Sequence, residues 1–268
     1  MANNYKSSTL FEARFQRYEC KYLITEVQAV GIRNYMRPYV EVDPYGDGSH
    51  DQSYEISSLY LDAPDLRLYR ETRNGVTNRI KLRIRTYSRD EAIPVFLEIK
   101  RRCNGLVLKA RARLMRRDME TLLRGGAPDT SLLEGEERAC YDEFLGWVGR
   151  WLAQPVVWVK YRREAYIGAM NPGVRITMDR RLVFAPSVEN SGEIGDNAWL
   201  PIEKRFVVLE LKFNTAFPDW MLGLVQRYGL KRTSFSKYGN AVLQGMDAWL
   251  FPPSLGPYAR ERNLGELA

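Results

Sequence analysis

The residues with most chemistry to offer are cations placed at every second position of strand-like runs. In Arg79-Ile80-Lys81-Leu82-Arg83-Ile84-Arg85 each odd position is basic and each even one aliphatic. Glu98 and Lys100 alternate with Leu97 and Ile99, and Lys109, Arg111 and Arg113 alternate with Leu108, Ala110, Ala112 and Leu114. Arg17, Glu19 and Lys21 share one parity in an early run, Arg175, Thr177, Asp179 and Arg181 in a late one, and Glu210 and Lys212 in the last. Side chains alternate across a pleated strand, so every such run has one charged face and one greasy face. A single run of this kind reads as an open sheet with its charged face in water. Agreement among most runs is less comfortable there, because like charges directly opposite one another destabilise a sheet, and the acids Glu19, Glu98, Asp179 and Glu210 are too few to pair them. A sheet curled with its charges inward is the other solution, provided an anion fills it. Gathering those cations without counter-charge costs several kcal/mol. A linear polyanion offsets that cost: arginine gives flat bidentate contacts to phosphate oxygens, and lysine adds point charge. Parity alone leaves both the solvated sheet and the basic tunnel or groove open.

The elements that must carry these residues follow from period-two alternation. Strands are expected over 15–23, 54–61, 77–87, 95–102, 106–115, 156–167, 174–183 and 205–213. Asn104-Gly105 is a tight-hairpin signal between two of them, and Asn171-Pro172-Gly173 serves the same purpose later. Helices fall between strands. Thr25 caps one that ends before Pro38, and Asp62-Ala63-Pro64 opens a short one toward Arg70. Leu132 to Leu152 has helical spacing, Pro218 starts another helix, and Ser236 or Lys237 starts the last, through Leu250. Neither an internal repeat nor a low-complexity linker divides the chain. The expectation is therefore one domain over residues 1–268, with a core over about 12–250 and short polar tails. Eight strands, mostly joined by hairpins, imply an α+β fold: an antiparallel β-barrel with a basic interior, partly wrapped by helices.

Composition narrows the chemistry. Lys and Arg number 40 against 33 Asp and Glu, a net charge of +7 that points to an anionic partner. The only histidine, His50, sits in the polar run YGDGSHDQS and reads as a solvated loop residue, which removes histidine-rich metal sites and most catalytic triads. Cys20, Cys103 and Cys140 have no metal spacing and an odd count, so a reducing compartment is the simpler reading. With no apolar signal and no run long enough to span a bilayer, the expected location is cytoplasmic, docking on a membrane protein remaining open. Nucleic acid fits less well, because no run of exposed aromatics interleaves with basic residues.

Taken in order, RYECKYLI, SSLYLDAPDLRLY, KLRIRTY, FLEIKRR, KARARL, VKYRREAY, RITMD, VLELKF and SFSKYGNA carry a resemblance. Each is weak alone; as an ordered set from Arg17 to Ala241 they resemble the VTC domain family. That family is the polyphosphate polymerase branch of the triphosphate tunnel metalloenzymes, the CYTH superfamily. The resemblance implies an eight-stranded antiparallel tunnel that holds a divalent cation, Mn2+ or Mg2+. Arg83, Arg85, Arg163, Arg175 and Lys237 would act on the transferring group. Lys21, Lys81, Lys100, Lys109, Arg111, Tyr161 and Ser236 would bind phosphates, and Glu210 would be the metal ligand. Glu19 and Glu98 read instead as partners of neighbouring arginines, and Asp179 as an electrostatic partner within the barrel. The hydrolases and cyclases of the superfamily typically open on Glu-x-Glu-x-Lys. Here Arg17-Tyr18-Glu19-Cys20-Lys21 puts arginine at the first place, which weakens a two-metal hydrolytic mechanism. The resemblance therefore implies transfer of the terminal phosphoryl group of ATP to a growing inorganic polyphosphate chain. Two rivals remain: a triphosphatase or nucleotidyl cyclase on the same tunnel, and a polyanion-binding module without turnover.

Overall fold

A computed structural model describes residues 18–46, 52–88, 90–187, 199–214, 216–248 and 250–251. Arg17 and His50 lie outside the described residues. In chain order the elements are β1 (Tyr18–Ile24), α1 (Glu26–Met36), β2 (Val40–Val42), β3 (Ser53–Asp62), α2 (Arg67–Arg73) and β4 (Arg79–Thr86). There follow β5 (Val95–Cys103), β6 (Leu106–Leu114), α3 (Arg116–Leu123), α4 (Gly135–Trp151), β7 (Gln154–Gly168) and β8 (Arg175–Pro186). The last are β9 (Leu200–Glu203), β10 (Val207–Phe213), α5 (Asp219–Arg227), β11 (Arg232–Thr233) and α6 (Lys237–Asp247).

One antiparallel sheet runs β11-β1-β10-β8-β7-β3-β4-β5-β6, with β2 added on β7 and β9 on β8. All eight expected strands are present, and the α+β antiparallel architecture holds. Two details differ from a closed eight-stranded barrel. The sheet has 11 strands, and no ladder joins β1 to β6 among the described residues. These two strands lie close together. The free edge of β1 is taken instead by β11, through Tyr22–Arg232 and Lys21–Thr233. Side chains bridge the seam, where Lys100 Nζ of β5 reaches Glu19 of β1 at 3.0 Å.

The greasy parity packs under helices. Leu82, Ile84, Leu97, Ile99, Ala110 and Ala112 bury against Met119 of α3 and Phe144 of α4. Ile176, Met178, Leu209 and Leu211 bury against Ile32 and Met36 of α1 and Met221 and Leu224 of α5. Full burial of the Leu, Ile, Met and Phe side chains among these contributes about 1.5–3 kcal/mol each. The last helix departs from this plan. Tyr238, Ala241 and Val242 of α6 pack on Ile56, Tyr60, Val157, Val159, Tyr161 and Val208, which share the parity of the charged residues. Thus α6 covers the apolar part of the charged face, and its N-terminus meets the charged part.

Local starts and stops have visible causes. Thr25 and Gln28 form a capping box: the Gln28 N–H donates to Thr25 Oγ1 at 3.1 Å, and the Thr25 N–H donates to Gln28 Oε1 at 2.9 Å. The helix expected from Pro64 begins later, at Arg67. Leu66 stands at φ 54, and the Asp62 carboxylate accepts the N–H groups of Leu68 and Tyr69 from outside the helix. In β8 the parity expected through Arg181 is corrected. Arg181 has φ 51, and it and Leu182 together stand opposite Tyr161 alone, so the bulge turns Arg181 to solvent.

Candidate functional site

Register turns the alternating charges into rungs across the inner face. On β4, β5 and β6 the directly opposed residues are Arg85, Phe96 and Arg113, then Arg83, Glu98 and Arg111, then Lys81, Lys100 and Lys109. Arg79 and Arg102 lie opposite each other one step further on. Three lysines in one rung is an arrangement that a sheet without a ligand disfavours. Burial, then Lys21, Lys100, Arg79 and Arg83, push the Lys81 ammonium well below its usual pKa. Among the described residues no carboxylate stands within ion-pair reach of Lys81, whose Nζ donates to Ser236 Oγ at 2.8 Å. Burial also lowers Lys100 and Lys109, outweighing Glu19 and Glu98 respectively.

Glu98 is fully buried and serves this whole wall. It accepts from Arg83 Nε at 2.7 Å, and Lys109 Nζ and the Arg111 guanidinium each approach it to 2.6 Å, with Arg85 at 3.8 Å. Burial would raise its carboxyl pKa, but Arg85, Arg83, Lys109 and Arg111 hold it well below the usual range. The pairing of Glu98 with arginines is therefore as expected, whereas Glu19 pairs with lysines, Lys21 and Lys100, each at 3.0 Å.

The opposite wall alternates sign. Lys21 faces Glu210, Glu19 faces Lys212, and Asp179 faces Arg163. Asp179 accepts from Arg163 Nε at 2.7 Å and Nη2 at 2.8 Å, and takes Lys237 Nζ at 2.6 Å. Glu210 is surrounded by Lys212 at 2.6 Å, Lys237 at 3.1 Å, Lys21 at 3.4 Å and Arg163 at 3.6 Å. Burial would lower the Lys237 ammonium pKa, but Asp179 and Glu210 raise it overall. The cations of this wall are thus largely neutralised by protein, while those of β4 to β6 are not.

The structure brings Lys21, Lys81, Arg83, Arg85, Lys100, Lys109, Arg111, Tyr161, Arg163, Ser236, Lys237 and Glu210 onto this one face. Tyr161 Oη accepts from Arg85 at 3.2 Å, and Lys237 Nζ lies 4.9 Å from the centre of its ring. Ser236 caps α6 by accepting the Gly239 N–H at 3.0 Å while also taking Lys81, so a helix N-terminus points at the lysine rung. Arg175 sits at the rim, ion-paired with the buried Asp43. Arg113 leaves the group, since its guanidinium turns to Glu137 of α4 at 2.9 Å. Charge parity alone missed Ser58 and Tyr60 of β3, which accept from Arg85 at 3.3 Å and Arg83 at 3.2 Å. Only the β3–β4 register, not a charge pattern, would have found them.

Of the buried carboxylates on this face, Glu98 and Asp179 each accept from an arginine Nε at 2.7 Å, whereas Glu210 is met mainly by lysines, and no cluster of three metal-ligating side chains exists among the described residues. One carboxylate fits magnesium or manganese when phosphate oxygens and water supply the rest. Glu210 would hold such an ion, with Lys21, Lys212 and Lys237 giving way, and the ion would neutralise charge on phosphoryl oxygens.

Similar solved structures include the PH1819 protein of Pyrococcus horikoshii OT3 (15% identity, covering 85% of this chain and 98% of that one, TM-score 0.44). Another is HpAC1 of Hippeastrum, described with a dominant triphosphatase activity (14% identity, 85% and 95% covered, TM-score 0.45). A third is a candidate adenylate cyclase of Bacillus halodurans (10% identity, 83% and 94% covered, TM-score 0.49). At these identities and scores the likeness says nothing about chemistry. No curated protein matches the chain. The VTC domain family matches residues 16–245, across the walls, the rungs and the start of α6, and the chain belongs to that family.

Proposed function

We propose that this chain is a polyphosphate polymerase that transfers the terminal phosphoryl group of ATP to the end of a polyphosphate chain. The observation that carries the reading is the Lys81, Lys100 and Lys109 rung, beside which Arg83, Arg85 and Arg111 share the single carboxylate of Glu98. A row of phosphates laid along β4 to β6 supplies the missing negative charge. In the step itself, an oxygen of the chain's terminal phosphate attacks the γ-phosphorus of ATP. The bond from that phosphorus to the β,γ-bridging oxygen breaks, and ADP leaves with its electron pair. The acceptor oxygen is already ionised, so no general base is required. Arg83 and Arg85 stabilise charge on the transferring group, Arg163, Lys237 and Arg175 supporting it from the other wall.

The test is incubation of the purified protein with ATP and Mn2+, following ADP, free phosphate and polymer together. ADP with polymer, abolished in Arg83→Ala, Arg85→Ala and Glu210→Ala, is the expected result. Free phosphate or pyrophosphate without polymer would assign the tunnel to hydrolysis or cyclisation. No turnover with tight, salt-sensitive polyphosphate binding would make it a binding module.

A further inference from the structure

One rim of the inner face is aromatic where the rest is charged. Tyr45, Tyr54 and Tyr87 form a triangle with ring centroids 6.2, 6.2 and 6.3 Å apart, and Phe96 meets Tyr87 edge-on at 5.7 Å. The Arg111 guanidinium lies 4.3 Å from the centre of the Phe96 ring and donates to Tyr87 Oη at 2.9 Å. Tyr45 is nearly parallel to Tyr87, at 14°, yet remains 78% exposed. Its position is built rather than accidental. The turn 43–46 is fixed by the buried Asp43, which accepts the Tyr45 N–H at 3.0 Å and is itself ion-paired with Arg175. A large planar ring is thus held open to solvent beside the first arginine rung, since Phe96 is the residue directly opposite Arg85.

We infer that this rim is a stacking site for the purine base of the nucleotide, so that the donor enters base-last from the Tyr45 side. The inference rests on the polymerase reading and adds direction to it. Stacking on a tyrosine face suits a planar base, and Arg111 adds a cation beside it. A nucleotide held there points its phosphates past Arg85 and Arg83 toward the lysine rung, about 13 Å away at ~3.3 Å per strand residue. The acceptor chain then occupies the end marked by Lys81, Lys100 and Ser236. The opposite orientation would put the base among Lys81, Lys100, Arg79 and Arg102, where the described residues include no such group of rings.

Calorimetric binding of ATP and of inorganic tripolyphosphate to the wild-type protein and to Tyr45→Ala separates the two levels. The exposed Tyr45 ring can be removed without opening the core. Loss of the base contact predicts ATP binding weakened roughly five- to tenfold, from about 1–1.4 kcal/mol of stacking. Tripolyphosphate binding would be unchanged, and Tyr45→Trp would keep or improve ATP affinity. Equal loss for both ligands, or no loss for either, overturns the stacking site while leaving the tunnel reading intact. Failure of the wild-type protein to bind tripolyphosphate overturns the tunnel reading and the inference with it.

Discussion

At the scale of single residues, the two walls of the inner face behave differently when their charges are changed. Lys81 lacks a carboxylate partner among the described residues and is buried among other cations, so its ammonium is a cost to the ligand-free fold. Its folded pKa lies below the 10.5 of an ordinary lysine. Between the folded value and 10.5 the unfolded chain therefore binds more protons, and stability rises with pH through that window. Lys81→Met is expected to raise Tm in anion-free buffer at neutral pH, flatten this rise and weaken tripolyphosphate binding roughly tenfold. Thermal melts from pH 7 to 10, alone and with tripolyphosphate, check all three; a lower Tm for the variant would mean the rung is not strained. Glu98 has the opposite character. Glu98→Gln removes the charge shared by Arg83, Arg85, Lys109 and Arg111, and it is expected to destabilise by about 3–5 kcal/mol in urea unfolding. Added tripolyphosphate should restore part of that loss, because it replaces the missing counter-charge.

At the scale of elements, α6 joins fold to site: its apolar side covers one part of the inner face, and its first turn meets the lysine rung. Ser236→Ala removes both the cap and the acceptor for Lys81, with an expected loss of about 1 kcal/mol in stability. Ser236→Asp keeps a cap but puts a carboxylate beside Lys81. It is expected to match or exceed wild-type stability while binding tripolyphosphate more weakly than Ser236→Ala; paired melts and titrations decide. This placement of α6 was only half legible in the sequence. Ser236 as a helix start, the eight long strands and their charge parity could all be read from residue type and period. What could not be read lay in contacts between distant segments. The short strands β2, β9 and β11 are too brief to alternate, and the bulge at Arg181 turns on one backbone angle. Tyr60 and Ser58 became site residues only because β3 pairs with β4 in one register. The asymmetry between walls was also hidden, since parity counts charges but does not say which of them face each other.

At the scale of the whole molecule, the lack of a ladder between β1 and β6 among the described residues is the feature that separates this sheet from a sealed ring. The seam is held by side chains: Glu19 of β1 takes Lys100 of β5, and Lys21 donates to the Phe235 carbonyl at 3.2 Å on the way into α6. From β1 round through β10, β8, β7, β3, β4 and β5 to β6, antiparallel ladders of five or more paired residues resist opening, the longest between β3 and β7 and between β7 and β8. Local opening is expected where backbone hydrogen bonds are fewest. Hydrogen exchange should therefore find β6 and the β11-side edge of β1 least protected, and β3 and β7 most protected. Glu19→Gln breaks the bridge to Lys100 and should speed exchange in β1 and β6 while leaving β3 and β7 unchanged. Under the proposed function, tripolyphosphate would draw Lys100, Lys109 and Lys21 toward one anion across the seam, and it should slow exchange there in both proteins. Uniform acceleration across all strands in Glu19→Gln would instead mean that Glu19 supports the entire sheet. Unchanged exchange at the seam on adding the anion would mean that the phosphates do not reach the rung that Lys100 shares with Lys81 and Lys109.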